Sequence, residues 1–332
     1  MSVSAKDLAK KLNISAATVS MVLNNKPGIS QATRDKVLTA AHRYGFDFSK
    51  IDSKSKTEIL NFVIYKKHGV IVTDTPFFSQ LLEGIEQSCK DNNFILQITY
   101  FNESDSIKEQ IDNIKKSDSD GILLLGTEMD LNDFQYFKDI SVPIVVLDTY
   151  YDELDFDFIT INNTRGISEA VNYLIAKGIT KIGYLRSSYE ITNFSERFLA
   201  YCKTLKKYNI EIPCDLIHRL TPSPDLAYND MKKLLISNYA QAYIADNDLI
   251  AFGAMRALKE LNIKIPNDIS VIGFDNMPLC DIIEPPLTTL DVPKKDLGAV
   301  AVNQLITRIK NKNLPYIRIQ ISPTLYTRNS TI

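Results

Sequence analysis

Asp148, Arg197, Asn247 and Asp275 are the side chains in this sequence whose types best suit a small polyhydroxylated ligand. A carboxylate such as Asp275 accepts from two hydroxyls, Arg197 and Asn247 donate to the same oxygens, and Phe77, Phe78 or Tyr150 can cover an apolar sugar face. Taken singly, each carboxylate reads better as a solvated loop end or a helix cap, and Phe77 reads equally well as helix core. They do share a placement. Asp148, the pair Asp246 and Asn247, and Asp275 each follow an apolar run that reads as a strand, and Arg197 opens a helical turn near the same edge. Open parallel sheets bind ligands at those carboxyl-terminal strand ends.

The sequence offers little for catalysis. The three histidines, His42, His68 and His218, form no metal-binding pair, and Cys89, Cys202, Cys214 and Cys280 have no ligand spacing, so no metal or cofactor is expected. The first apolar strand runs into Tyr65-Lys66-Lys67-His68-Gly69-Val70, which lacks a phosphate-binding glycine fingerprint. Asp148 and Asp275 have the types of a general acid/base pair, but no Ser/His/Asp order accompanies them.

A second chemistry lies in residues 15–25, Ser-Ala-Ala-Thr-Val-Ser-Met-Val-Leu-Asn-Asn. Val19, Val22 and Leu23 make one apolar stripe at helical spacing, and Ser15 stands where its oxygen can cap the first free N–H groups. The opposite face carries Ala16, Ala17, Thr18, Ser20 and Met21, which are small, hydroxylated or unbranched. Such a face fits a DNA major groove, with hydroxyls on phosphates and small apolar groups on thymine methyls. Residues 4–12 form a second short amphipathic segment, and the polar turn at residues 13–14 makes the pair a helix-turn-helix. An isolated helical pair is more often a plain surface feature, but the charge argues otherwise. Residues 1–56 hold ten Lys/Arg against four Asp/Glu, while the remainder holds 28 against 36. A basic head on an acidic body is the footprint of a nucleic-acid binder.

These groups need a scaffold. Lys26-Pro27-Gly28 introduces a third helix over residues 30–44, whose Val37, Leu38, Ala41 and Tyr44 would close a small core with Leu8, Leu12, Val19 and Val22. Residues 47–58 are polar and without apolar periodicity, which reads as a linker. From Ile59 onward strands and helices alternate. Strands are expected over 59–65, 94–100, 121–125 and 143–147, with helices on the 77–89 and 107–114 stripes and near 132–138. A second series follows: strands 158–161, 181–185, 240–245 and 269–274, with helices 165–176, 193–208, 225–236 and 249–261. The alternation predicts α/β lobes with parallel sheets covered on both faces.

The 332 residues, 45% of them hydrophobic, suffice for a small head and a large body. The longest apolar runs are far too short to span a bilayer, the polar N-terminal stretch leads us to expect no signal peptide, and the scattered cysteines suit reduced thiols. A cytoplasmic protein without membrane partners is expected.

The run Val3-Ser4-Ala5-Lys6-Asp7-Leu8-Ala9-Lys10, then residues 14–24, then Ser30-x-x-Thr33-Arg34-x-x-Val37 and Tyr44-Gly45-Phe46, resembles the headpiece of the lactose/galactose repressor family. The body resembles that family's sugar-binding-protein-like core through Pro76-Phe77-Phe78, Asp120-Gly121-Ile122, Ile161-Asn162-Asn163, Glu196-Arg197, Asp246-Asn247-Asp248 and Ile272-Gly273-Phe274-Asp275. The resemblance implies a three-helix head over 1–46, a linker over 47–58 and a two-lobed periplasmic-binding-protein-like core over 59–332, with crossings near 156–160, 286–290 and 317–322. Ser4, Ser15, Thr18, Asn24, Ser30 and Thr33 would touch or position phosphates, and Ala16, Ala17 and Met21 would face bases. Met21 replaces an arginine common in the family and so removes a bidentate guanine contact. Asn162 would join the effector set. The expected molecule is a transcriptional repressor that binds a near-palindromic operator as a homodimer, under control of a small effector expected to be a sugar or sugar derivative. The dimer surface is expected around Leu81/Leu82 and residues 250–255. A sugar-binding receptor whose head contacts proteins, and an α/β enzyme with a fused helical head, are the alternatives.

The linker departs from the family pattern. Phe48 stands where relatives carry a proline, the stretch looks about three residues shorter, and Ile51 replaces a leucine that would wedge into the minor groove. Ser, Asp and Lys alternate without a helical stripe, so no wedge-bearing hinge helix and little DNA bending are expected, with Lys50, Lys54 and Lys56 on phosphates.

Overall fold

A computed structural model describes residues 3–23, 28–48, 58–72, 75–234 and 239–332. The chain divides into two compact units, Met1–Glu58 and Ile59–Ile332. In the first, helices α1 (Ala5–Leu12), α2 (Ala16–Leu23) and α3 (Gln31–Arg43) pack around Leu8, Val19, Val22, Val37 and Ala41. Ser4 and Asp7 form a reciprocal capping box on α1, and Asn13 takes the left-handed conformation that ends it. Leu12 and Leu38 are half-buried at the edge of this core. Tyr44 is a correction: it is exposed, with the Lys11 ammonium 3.9 Å from its ring centre, so the amphipathic ring lies at the surface. Phe48 tilts its ring over His42 at 4.8 Å, so the residue in the proline's place packs back on the head. Asn24, Lys50, Ile51, Lys54, Lys56 and the expected linker conformation lie outside the described residues.

The second unit opens with β1 (Ile59–Lys66), α4 (Pro76–Asp91), β2 (Ile95–Asn102), α5 (Ile107–Lys116), β3 (Gly121–Leu125), β4 (Ile144–Leu147) and β5 (Asp157–Ile161). It continues with α6 (Asn163–Ala176), β6 (Ile182–Ser187), α7 (Thr192–Lys207), β7 (Ile217–Leu220), α8 (Pro224–Lys233), β8 (Ala242–Ala245), α9 (Asp248–Glu260), β9 (Ser270–Asp275) and β10 (Thr288–Asp291). Helix α10 (Lys294–Lys310), β11 (Arg318–Ile321) and β12 (Thr324–Tyr326) complete it. Two six-stranded sheets result, ordered β11-β5-β4-β3-β1-β2 and β12-β10-β9-β8-β6-β7. All paired strands are parallel except β10 and β12. Strands β3, β4 and β5 are buried along their whole length, as expected of a parallel sheet with helices on both faces.

Two details differ from the sequence expectations. The helix near 132–138 is a 3-10 turn, Asp133–Phe137. The segments expected to cross between lobes are themselves strands β5, β10 and β11, and each crossing comes a few residues later. The chain changes sheet between β5 and α6, between β10 and α10, and between β11 and β12. Finally, α10 returns to the first lobe and packs on α4. A Cβ at Gly84 would lie 2.1 Å from the Lys295 carbonyl oxygen, and one at Gly298 would lie 2.6 Å from that of Leu81, so only glycine permits this close helix pair.

Candidate functional site

The second unit has a cleft between the carboxyl ends of its two sheets. It is lined by Thr127 and Asp148 from the first lobe, by Asn193, Phe194 and Arg197 on α7, and by Asn247 and Asp275 from the second, with Phe77 and Phe78 on α4. About 460 Å³ of space lies between these groups, part of it open to solvent, which is in the range of a small-ligand site.

Arg197 is the centre. It is buried, its Nε donates to Asn163 Oδ1 at 2.8 Å, its Nη1 donates to the Asp246 carbonyl, and its guanidinium carbon lies 3.6 Å from the Phe274 ring centre. Nη2 is 3.9 Å from Asp275 Oδ1, close enough to attract but too long for a hydrogen bond. Burial pushes the Asp275 carboxyl up to about 7, against the pull of Arg197 and Lys294 and with a further push from Asp248 and Asp148. Burial likewise raises Asp246 and Asp248 to about 6. Asp248 is consumed by structure, since it accepts from Met277 N, Cys280 Sγ and Thr289 Oγ1.

Across the cleft, Asp148 Oδ2 accepts from Thr127 Oγ1 at 2.7 Å and Oδ1 from Asn193 Nδ2 at 2.8 Å, the second bond joining the lobes. Burial raises this carboxyl too, although both bonds oppose the shift. Asp148 and Asp275 take φ values of +66° and +112°, conformations that cost a non-glycine residue free energy and recur at ligand sites. Asn247 caps α9 by accepting from Ile250 N at 3.0 Å, which leaves its NH2 end for a ligand. Phe77 is both core and wall, edge-on to Phe78 at 5.1 Å.

Six of the eight expected effector residues therefore meet: Phe77, Phe78, Asp148, Arg197, Asn247 and Asp275. Tyr150 and Asn162 do not line the cleft. The Arg318 guanidinium lies over the Tyr150 ring at 3.7 Å, and Asn162 spends its oxygen capping α6 through Arg165 N at 3.0 Å. Asn193 and Thr127 were not expected. Asn193 lies one helical turn before Arg197, a spacing that puts both on one face and could have revealed it.

In the head, Val19 and Val22 of α2 are buried while Ser15, Ala16, Ala17 and Ser20 are exposed and Thr18 and Met21 half-exposed, the division the sequence predicts. Ser15 Oγ accepts from Thr18 N at 2.9 Å, and Ser30 Oγ accepts from Thr33 N at 3.4 Å. Ser4 Oγ lies 2.6 Å from Asp7 Oδ2. These hydroxyls are thus helix caps; a hydroxyl meets a phosphate oxygen by donating its proton, which Ser4 gives to Asp7 here.

Residues 4–47 match the family model for bacterial regulatory proteins of the lacI family, and residues 171–331 match that for a periplasmic binding protein-like domain. The chain is 30% identical to the HTH-type transcriptional repressor PurR of Mannheimia succiniciproducens, with 98% of this chain and 97% of that one covered. It is 30% identical to the ribose operon repressor of Escherichia coli K12, with 98% of each covered. The Lac repressor dimer bound to operator and the anti-inducer ONPF shares the fold, with a TM-score of 0.73 at 20% identity over 100% of both chains.

Proposed function

The chain belongs to the lacI family of bacterial regulatory proteins, DNA-binding transcriptional repressors under small-molecule control, and we propose how its residues divide that work. The outward face of α2, with Ala16, Ala17, Ser20 and Met21, reads base edges in the major groove, while Ser4, Ser15, Thr18, Asn24, Ser30 and Thr33 hold the phosphates. The interlobe cleft takes the effector. Two copies present two heads to a near-palindromic operator, because symmetric half-sites mirror a symmetric dimer.

The effector is a neutral polyhydroxylated molecule, a sugar. The observation that carries this is the convergence of one guanidinium with two carboxylates, Asp148 and Asp275, on a single cleft. Donors and acceptors alternate there as hydroxyl groups require, and Phe77 and Phe78 supply an apolar wall. Among the described lining residues Arg197 is the one cation. A phosphorylated sugar would set about two negative charges beside two carboxylates. A thermal-shift screen of sugars against their phosphate esters tests the reading: free sugars raise the melting temperature and the esters do not. Stabilisation by esters alone contradicts it.

The dimer face needs revision from the sequence expectation. Leu81 and the apolar side chains of residues 250–255 are buried in the core and cannot meet a partner; of that set only Leu82 reaches the surface in part. The exposed edge strand β2 instead presents Ile95, Ile98 and Tyr100, which are 53%, 41% and 56% exposed, and supports the assignment of the first-lobe dimer contact to that strand.

A further inference from the structure

Glu128 follows Thr127 at the end of β3, and its side chain is fully buried. A buried carboxylate normally pairs with a cation or is neutralised. Here it is met by backbone. Oε2 accepts from the N–H groups of Lys67, His68 and Gly69 at 2.9, 3.1 and 2.9 Å, and Oε1 accepts from those of Ile71 and Val72 at 2.8 and 2.9 Å. Five main-chain donors on two oxygens form a closed anion cradle. Burial pushes this carboxyl up, and the amide bonds outweigh it and hold it below the ordinary range.

The wrapped segment, residues 67–72, has two further contacts. Ile71 lines the cleft, and the His68 ring meets that of Tyr189, which follows β6 in the opposite lobe, at 4.8 Å between centroids. His68 Nδ1 is also 3.2 Å from Glu128 Oε1. Without the carboxylate, five N–H groups would face one another with no acceptor, a repulsive arrangement that leaves the segment no reason to keep this shape.

We propose that Glu128 is a positioning residue whose carboxylate acts as a permanent internal anion, shaping residues 67–72 into a wall of the effector cleft and a bridge to the second lobe. The role as a wall of an effector cleft rests on the proposed function. The cradle and the bridge stand on their own geometry, and their test uses neither effector nor DNA.

The test uses the full-length chain, with sodium formate as a stand-in for the missing carboxylate. In Glu128→Ala, amide exchange at Lys67, His68, Gly69, Ile71 and Val72 should accelerate by about ten- to a hundredfold, and the nuclear Overhauser contact between the His68 and Tyr189 rings should vanish. Added formate should restore both, while leaving the wild type unchanged. Unchanged exchange in Glu128→Ala, or a loss that formate does not repair, overturns the proposal. Glu128→Gln keeps the volume without the charge and serves if the alanine variant does not fold. Loss of protection there supports the proposal, and wild-type exchange with an intact ring contact overturns it.

Discussion

At the scale of single residues, Asp275 has the clearest consequences. In a ligand-bound cleft its replacement by alanine strands donors in a desolvated site, which costs about 1–3 kcal/mol of effector affinity. Isothermal titration with a sugar that stabilises the wild type should show that loss, while operator binding by the ligand-free variant persists. The pH response has a definite sign. The folded carboxyl titrates near 7 and the unfolded one near 3.8, so between those values the folded state binds more protons. This group's contribution to stability is therefore greatest below pH 4 and declines as pH rises through 7. Replacing it with asparagine should stabilise the ligand-free protein more at pH 8 than at pH 5, measured as the difference in melting temperature from wild type; a difference that grows on acidification contradicts the assignment. Met21 carries another prediction. Met21→Arg should restore a guanine-reading side chain and shift base preference toward guanine at one position per half-site, worth about 1–3 kcal/mol in competition binding.

At the scale of elements, the edge strand β2 makes the dimer testable. Ile98→Asp places a charge in an exposed apolar row without disturbing the core, so sedimentation should show a monomer with unchanged secondary structure. The same scale shows what the sequence made legible. Periodicity located β1, β3 and α9 closely because long apolar runs end at polar caps, and the cleft carboxylates Asp148 and Asp275 were visible as the first polar residues after such runs. Strand β7 gives no sequence signal because Ile-His-Arg-Leu spans four positions at a sheet edge and sets two adjacent polar residues between its apolar ends, without the period-2 alternation of a strand. Leu297, Ala301, Val302 and Leu305 of helix α10 keep helical spacing, but nothing local tells which lobe the helix joins. Gly84 and Gly298 decide that, and close approach between two distant glycines is not a local signal. The Asn193–Asp148 bond and the Glu128 cradle were illegible for the same reason: each joins residues that only the fold brings together.

At the scale of the whole molecule, binding energy and specificity come from different parts. A core as small as that of the three-helix head supports little stability by itself. One head also offers limited contact area, so tight recognition requires two heads on one symmetric site. Nonspecific affinity should come partly from Lys50, Lys54 and Lys56, whose joint replacement by alanine is expected to weaken all duplexes alike and flatten the salt dependence of binding. Selection of the full-length protein against a random duplex library, with and without a panel of free sugars, tests sugar-controlled operator binding directly. Enrichment of a near-palindromic sequence whose recovery changes when one free sugar is present is expected. Recovery of asymmetric single half-sites, absence of enrichment, or an enriched site indifferent to every sugar and responsive only to charged metabolites would contradict it.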